Sequence, residues 1–265
     1  MLPVLIRLGP VTIHSYGLMM AVGVALGLWF LYRQSKAQGL DAAGIVDAGF
    51  YTILISLFGA KLVLFLGNFS YYTRSPGELL SLARSGGVFQ GGLVFGLVFA
   101  LWYFRRKRIP TWKVADIAGP SLALGHGFGR IGCFLAGCCY GRVCESGVGV
   151  RFTSQYAHAL TGIPLNETLH AVQLYEAGLN YLNFFVLFLI LRRKKFDGQV
   201  FSQYIINYSL IRYFTEFFRG DHPEKAFLIK GSSPYLSLTL PQLFCILGII
   251  TGFILFSLLK NKKSA

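Results

Sequence analysis

The sequence predicts an all-α integral membrane protein with about seven transmembrane helices, its N-terminus outside and its C-terminus cytoplasmic. Three observations carry that expectation: apolar composition, the lengths of the apolar runs, and the placement of the basic residues. Of 265 residues, 54% are hydrophobic and only 14% are charged, too apolar for a soluble domain of ordinary size. A helix needs roughly 17 to 25 mostly apolar residues to cross the hydrocarbon core. Seven stretches qualify, near Tyr16–Leu31, Asp47–Phe69, Gly87–Phe104, Val114–Gly129, Tyr175–Leu191, Val200–Phe218 and Leu236–Leu259. The residues before the first run carry only Arg7 and no small-residue cleavage site, so a cleaved signal peptide is not expected.

Orientation follows from lysine and arginine. The links after odd-numbered spans are short and basic: Arg33 and Lys36; Arg105, Arg106, Lys107, Arg108 and Lys113; Arg192, Arg193, Lys194 and Lys195; then Lys260, Lys262 and Lys263. The opposite side spreads fewer basic residues over longer segments, so the positive-inside rule places the short basic links in the cytoplasm. The net charge of +14 is thereby explained without a nucleic-acid partner, which would want a basic face on a soluble fold. The chain reads as one polytopic domain over 1–265, with outer-face loops at 70–86, 130–170 and 219–235.

Two basic residues, Lys61 and Arg212, fall inside predicted spans, where an ionisable group costs on the order of 2.5 kcal/mol or more unless it is paired or reaches a polar cavity. Lys61 has no acid within one turn and reads either as a snorkelling side chain or as a site residue. Arg212, Glu216 and Arg219 are spaced i, i+4 and i+7, one polar stripe on a helix, with Arg212 and Glu216 able to pair. A stabilising ion pair is one reading. The other is anion binding, because the stripe carries two arginines for one acid and a guanidinium fork suits phosphate.

Gly125–Arg142 is rich in glycine, which allows close backbone approach and turns that expose N–H groups to an anion. Small-residue pairs at Gly23/Gly27, Gly92/Gly96 and Gly125/Gly129 also suit helix contacts. Packing leaves His126 and Arg130, four residues apart, unexplained. Cys133, Cys138, Cys139 and Cys144 follow a C-x4-C-C-x4-C pattern, neither a redox C-x-x-C nor a familiar zinc spacing. A disulfide or structural thiols are the first reading, and soft-metal binding or redox chemistry stays open. Cys245 reads as a small apolar filler. The stretch 141–170 is the longest outside the spans, and Val148–Phe152 looks like a strand, so a small exterior subdomain is expected there. The 219–235 link, with Asp221-His222-Pro223, would form another part of its wall.

Several fragments, in order, resemble the prolipoprotein diacylglyceryl transferase family: Ile13-His14-Ser15-Tyr16-Gly17-Leu18-Met19, Gln90-Gly91-Gly92-Leu93, Gly129-Arg130-Ile131-Gly132, Tyr140-Gly141-Arg142, Gln173-Leu174-Tyr175-Glu176 and Arg212 through Arg219. The likeness runs from about residue 10 to the last span. It implies a bacterial plasma (inner) membrane enzyme that moves the diacylglyceryl group of phosphatidylglycerol to the thiol of a lipobox cysteine, releasing glycerol phosphate. Tyr16, Arg130, Gly141, Arg212 and Glu216 are the matched functional positions. The expected catalytic set is Arg130, Arg212, Glu216, Tyr16 and His126. The expected lipid contacts are Arg130, Gly129, Gly141, Arg212, Arg219, Lys61 and Gln90. Tyr16 by itself would pass as an interfacial aromatic anchor.

Departures from the family pattern shape the chemistry. Gln90 stands where many members have histidine, and Cys133 and Cys138 where the signature has asparagine and glutamate. A glutamine cannot act as a general base near neutral pH, which leaves His126, His14 or Glu216 for that part; His170 also matches the family pattern and can simply hold the outer segment. The expected reaction is attack of the substrate thiolate on the glyceryl carbon, with Arg130 and Arg212 neutralising the phosphate, and with no metal or organic cofactor required. The rival readings are a cysteine-dependent membrane thiol oxidoreductase and a non-catalytic relative that binds or transports a lipid or a metal.

Overall fold

A computed structural model describes residues 2–8, 11–74, 77, 82, 87–145, 149–221, 227–229 and 237–264. The expected outer-face segments 70–86 and 219–235 fall largely outside these residues, as do Val148 and the His222-Pro223 pair. Among the described residues seven helices of 18 or more residues coincide with the seven predicted spans: α1 (Ser15–Ala37), α2 (Ala42–Gly67), α4 (Phe89–Arg106), α5 (Thr111–Ala136), α7 (Val172–Arg193), α8 (Gln199–Glu216) and α9 (Leu240–Ser264). Short helices α3 (Phe69–Arg74) and α6 (Gln155–Thr161) and the strand pairs β1 (Val4–Leu8) with β2 (Val11–His14), β3 (Val150–Arg151) with β4 (Thr168–Leu169) and β5 (Phe227–Ile229) with β6 (Leu238–Thr239) complete the described elements.

Four helices, α1, α2, α7 and α9, are long and apolar enough to cross a membrane. The chain is thus a multi-pass membrane protein. The other three fall short for a reason visible in their sequences. α4 is short and ends in Arg105 and Arg106; α5 carries Asp116, His126 and Arg130; α8 carries Arg212 and Glu216 among glutamine, asparagine and serine.

The chain divides into two compact units. One comprises residues 31–114. Within it Asp41 caps the start of α2 by accepting from the Gly44 amide at 3.0 Å, and α2 packs on α4 through glycine. A methyl group on Gly92 would stand 3.0 Å from the Ser56 carbonyl, and one on Gly59 would strike Phe95. Leu57, Phe58, Leu93 and Val98 each leave more than half their surface exposed, an apolar exterior that suits lipid.

The second unit comprises residues 1–30 and 115–265. It opens with a feature absent from the sequence reading: β1 (Val4–Leu8) and β2 (Val11–His14) pair antiparallel. Ser15 ties this hairpin to α1, its amide donating to the Pro3 carbonyl and its hydroxyl to that of Leu2. Within the unit Gly23 lies against Gly125 and Gly27 against Ser121, where an added methyl would meet backbone oxygen at 3.1 and 3.2 Å. α8 begins where it does because Asp116, fully buried on α5, accepts from the Gly198, Val200 and Phe201 amides and from Lys194 Nζ, all at 2.9–3.0 Å. A carboxylate there meets the exposed amides and positive end of the helix.

Within the stretch expected as a subdomain, 141–170, the described residues carry a small hydrophobic cluster of their own. β3 (Val150–Arg151) pairs antiparallel with β4 (Thr168–Leu169), and Ser154 caps α6. Phe152, Ala157, Ile163 and Leu169 make up that buried cluster. One boundary differs from expectation. α5 continues past Gly129 to Ala136, so residues 130–136 are helical rather than loop. The glycines there are used for packing: a methyl on Gly127 would enter the Tyr181 ring, and one on Gly132 would stand 3.3 Å from that of Tyr16.

Candidate active site

The long α5 helix presents Arg130 on its last two turns, and α7 supplies the carboxylate that meets it. Glu176 Oε1 lies 2.8 Å from Arg130 Nη2, with the glutamate side chain 1% exposed and the arginine 19%. One helix over, Arg212 and Glu216 pair along α8 as their i, i+4 spacing predicts, Nη1 to Oε2 at 2.6 Å. Glu216 is held from a second direction. Thr239 and Gln242 form a reciprocal cap on α9, the Gln242 Oε1 accepting from the Thr239 amide at 2.9 Å and Thr239 Oγ1 from the Gln242 amide at 3.3 Å, the T-x-x-Q box. The same threonine hydroxyl donates to Glu216 Oε1 at 3.0 Å.

Tyr208 joins the two pairs, lying within electrostatic reach of Glu176, Arg130 and Arg212. His126 sits behind it, its ring 4.8 Å from that of Tyr208 and its Nδ1 3.3 Å from the Tyr204 hydroxyl. Tyr16, 42% exposed at the start of α1, lies over Gly132 and within electrostatic reach of Arg130. Gly129 of α5 lies against Met20 of α1.

Arg219 departs from the predicted stripe. α8 ends at Glu216, and Arg219 lies beyond it in an antiparallel bridge with Gly141. The Phe218 carbonyl accepts from the Arg142 amide and the Tyr140 carbonyl from that of Gly220, at 2.9 and 3.1 Å. Gly141 admits no side chain, because a methyl would strike the His170 carbonyl. Arg219 grips Asp221 with two N–H groups at 2.9 and 2.6 Å. The excess of arginine over acid read from the stripe is therefore absent, since Arg130, Arg212 and Arg219 each face a carboxylate. Among the described residues no other acceptor meets the Arg130 or Arg212 side chains, whose remaining N–H groups are of the kind that binds an anion.

The cysteine segment closes the site. α5 ends in a Schellman turn: Gly137 takes φ +79°, its amide donating to the Phe134 carbonyl at 3.3 Å and that of Cys138 to Cys133 at 3.1 Å. The turn folds Cys138 and Cys139 back onto Cys133, and the three sulfur atoms lie within 4.8 Å of one another as free thiols. Hydrogen bonds from Cys133 and Cys138, then Arg219 and Arg130, hold Cys139 well below the usual thiol range, while bonds with Cys133 and Cys139 push Cys138 up. Cys144 lies apart, its amide bonded to the Thr168 carbonyl.

Lys61 and Gln90 belong to the unit spanning 31–114. Lys61 Nζ donates to the Leu82 carbonyl at 2.8 Å, and Gln90 is exposed on the first turn of α4.

The sequence model of the prolipoprotein diacylglyceryl transferase family matches residues 3–258. This chain belongs to that family. Among relatives named phosphatidylglycerol–prolipoprotein diacylglyceryl transferase, one from Clostridium tetani is 33% identical over 99% of this chain and all of its own length. One from Bacillus velezensis is 31% identical over 83% of this chain and 81% of its own, and one from Bacillus cereus 28% over 82% and 81%.

For this member of the diacylglyceryl transferase family, the residue that sequence reasoning passed over is Glu176. It lies in the Gln173-Leu174-Tyr175-Glu176 fragment of the family resemblance, which implies no role for it. An acid at the start of an apolar span was the available signal. Thr239 was equally readable through its T-x-x-Q pattern.

Proposed function

We propose that this chain transfers the diacylglyceryl group of phosphatidylglycerol to the thiol of a prolipoprotein's lipobox cysteine, releasing glycerol phosphate. The observation that carries the reading is the pair of guanidinium groups at Arg130 and Arg212, each oriented by a glutamate 1% exposed and each retaining free donors. A phosphodiester gripped by both loses the charge that would repel an incoming thiolate. Sulfur attacks the glyceryl carbon, the carbon–oxygen bond breaks, and the electron pair leaves on the phosphate. Donors fixed before the reaction stabilise that developing charge most in a water-poor site.

In this reading Arg130 and Arg212 contact phosphate, Glu176 and Glu216 position them, and Tyr16 lines the approach to Arg130. Gly129 and Gly141 allow close backbone contact, Arg219 with Asp221 walls the outer end, and His126 supports Tyr208 from behind. The helices cross the bilayer seven times as one membrane domain in the bacterial plasma membrane. The first, third and fifth crossings, α1, α4 and α7, carry Lys36, Arg105 with Arg106, and Arg192 with Arg193 in their last turns, consistent with cytoplasmic ends. The 141–170 subdomain then lies on the outer face, where a tethered peptide arrives.

The test is transfer of labelled phosphatidylglycerol to a lipobox peptide by the purified chain. Label is expected in the cysteine peptide and not in its serine analogue. Absence of transfer from a folded preparation would overturn the reading.

A further inference from the structure

Among the described residues the cysteine cluster is a group of reactive side chains that the arginine chemistry leaves unused. We propose that Cys133, Cys138 and Cys139 form a three-thiolate site for a soft divalent ion of the zinc class, whose fourth position takes the incoming peptide thiol. The inference deepens the transferase reading and rests on it for the identity of that thiol.

Three features of the structure converge on this assignment. The sulfur atoms are already gathered within 4.8 Å; thiolates at the zinc–sulfur distance of ~2.3 Å in a tetrahedron stand ~3.8 Å apart, so closing on an ion needs small rotations only. The backbone is shaped for the gathering. Cys139 takes φ +56°, a left-handed conformation costing a non-glycine residue on the order of 1 kcal/mol, directly after the Gly137 turn that brings the thiols together. Charge also fits. Three thiolates and a divalent cation sum to one negative charge, and Arg130 and Arg219 both lie within electrostatic reach of Cys139.

The number of donors carries the functional content. Structural zinc sites are closed by four protein ligands, whereas sites that do chemistry keep three and leave a position for water or substrate. Cys144, the fourth cysteine of the segment, is not in the cluster, and among the described residues the cluster has three donors. The open position answers the problem posed by Gln90. A free thiol is only a few per cent ionised at neutral pH, and a thiol bound to the ion is deprotonated outright.

The step balances without a redox partner. The peptide thiol displaces bound water and gives its proton to solvent. Its sulfur, still the nucleophile, forms the bond to the glyceryl carbon as the carbon–oxygen bond to phosphate breaks and glycerol phosphate departs with the electron pair. The product thioether, a weaker ligand, yields its place to water.

Cobalt(II) chloride titrated into the reduced, chelator-treated full chain in detergent tests the proposal. One equivalent is expected to bind with thiolate-to-cobalt charge-transfer absorption, which Cys138→Ser and Cys139→Ser abolish and Cys245→Ser leaves intact. A lipobox cysteine peptide is expected to raise that absorption by about a third as three thiolates become four, and its serine analogue to leave it unchanged. Failure of the wild-type chain to bind cobalt, binding that survives Cys139→Ser, or a spectrum indifferent to the cysteine peptide would each overturn the proposal. The wild-type titration decides even if a variant fails to fold. Lipid transfer by a chain that binds no metal would overturn the ion site while leaving the transferase reading intact; a peptide-responsive cobalt spectrum without transfer would uphold the site and overturn that reading.

Discussion

Glu176→Gln removes the charge facing Arg130 while preserving the side chain's size. The carboxylate is 1% exposed and 2.8 Å from a guanidinium that is 19% exposed. Removing one partner of a buried pair costs about 3–5 kcal/mol, because the other charge stays behind uncompensated. Arg130 keeps some contact with solvent, which sets the expected cost near 3 kcal/mol. If that energy holds the fork in position for phosphate, its loss lowers kcat by about two powers of ten at 1.4 kcal/mol per decade. KM should not rise, since an arginine without its counter-charge attracts an anionic headgroup at least as well. Inhibition by glycerol phosphate should tighten, which a merely destabilised protein would not show. Initial rates across a phosphatidylglycerol series, with and without glycerol phosphate, measure both effects. A kcat within about threefold of wild type, under ~0.7 kcal/mol, would refute the view that Glu176 positions Arg130.

Other substitutions separate holding the fold from holding the substrate. Thr239→Val strips the α9 cap and one bond to Glu216, so melting in detergent should show a loss of ~1–2 kcal/mol, while Thr239→Ser restores it. Asp116→Asn strips the first amides of α8 of their anion and leaves Lys194 with Asp197 alone; a stability loss of about 2 kcal/mol is expected with KM unchanged, and a rise in KM at full stability would count against a purely structural Asp116. Burial, then the neighbouring Arg142, holds His170 below the usual imidazole value of 6.5. A base whose folded value is depressed is more readily protonated unfolded, so its stabilisation is intact above about pH 6.5 and is lost as pH falls below that value. Melting temperatures between about pH 8 and 5 should therefore fall on acidification, and His170→Gln should flatten that slope.

Sequence made the long helices legible because bilayer thickness fixes their length and an apolar run needs no tertiary context to be recognised. It made the Arg212–Glu216 pair legible for a similar reason: i, i+4 neighbours meet on the helix that holds them both. Arg219 misled because the helix stops at Glu216, where the backbone bridge between Arg219 and Gly141 takes over. Nothing local announces a pairing between residues 141 and 219. Glu176 and Asp116 escaped for the same physical reason, since the charges that make them tolerable in an apolar span come from elsewhere in the chain. The cysteines were visible as a pattern, but C-x4-C-C-x4-C does not say which of them meet. The Gly137 turn gathers three, and Cys144 leaves with the small subdomain. The N-terminal hairpin leaves only a short local signal, since Val11-Thr12-Ile13-His14 alternates but Val4-Leu5-Ile6-Arg7-Leu8 does not.

Transfer kinetics of the Arg212→Ala chain test the central claim most directly: that paired guanidinium groups hold the phosphate that leaves. With labelled phosphatidylglycerol and a lipobox peptide, the wild-type chain should transfer label. Arg212→Ala should lose at least ~10²-fold in kcat/KM, the scale of removing one preorganised donor from a developing charge. Full transfer by a folded Arg212→Ala chain would contradict that claim outright.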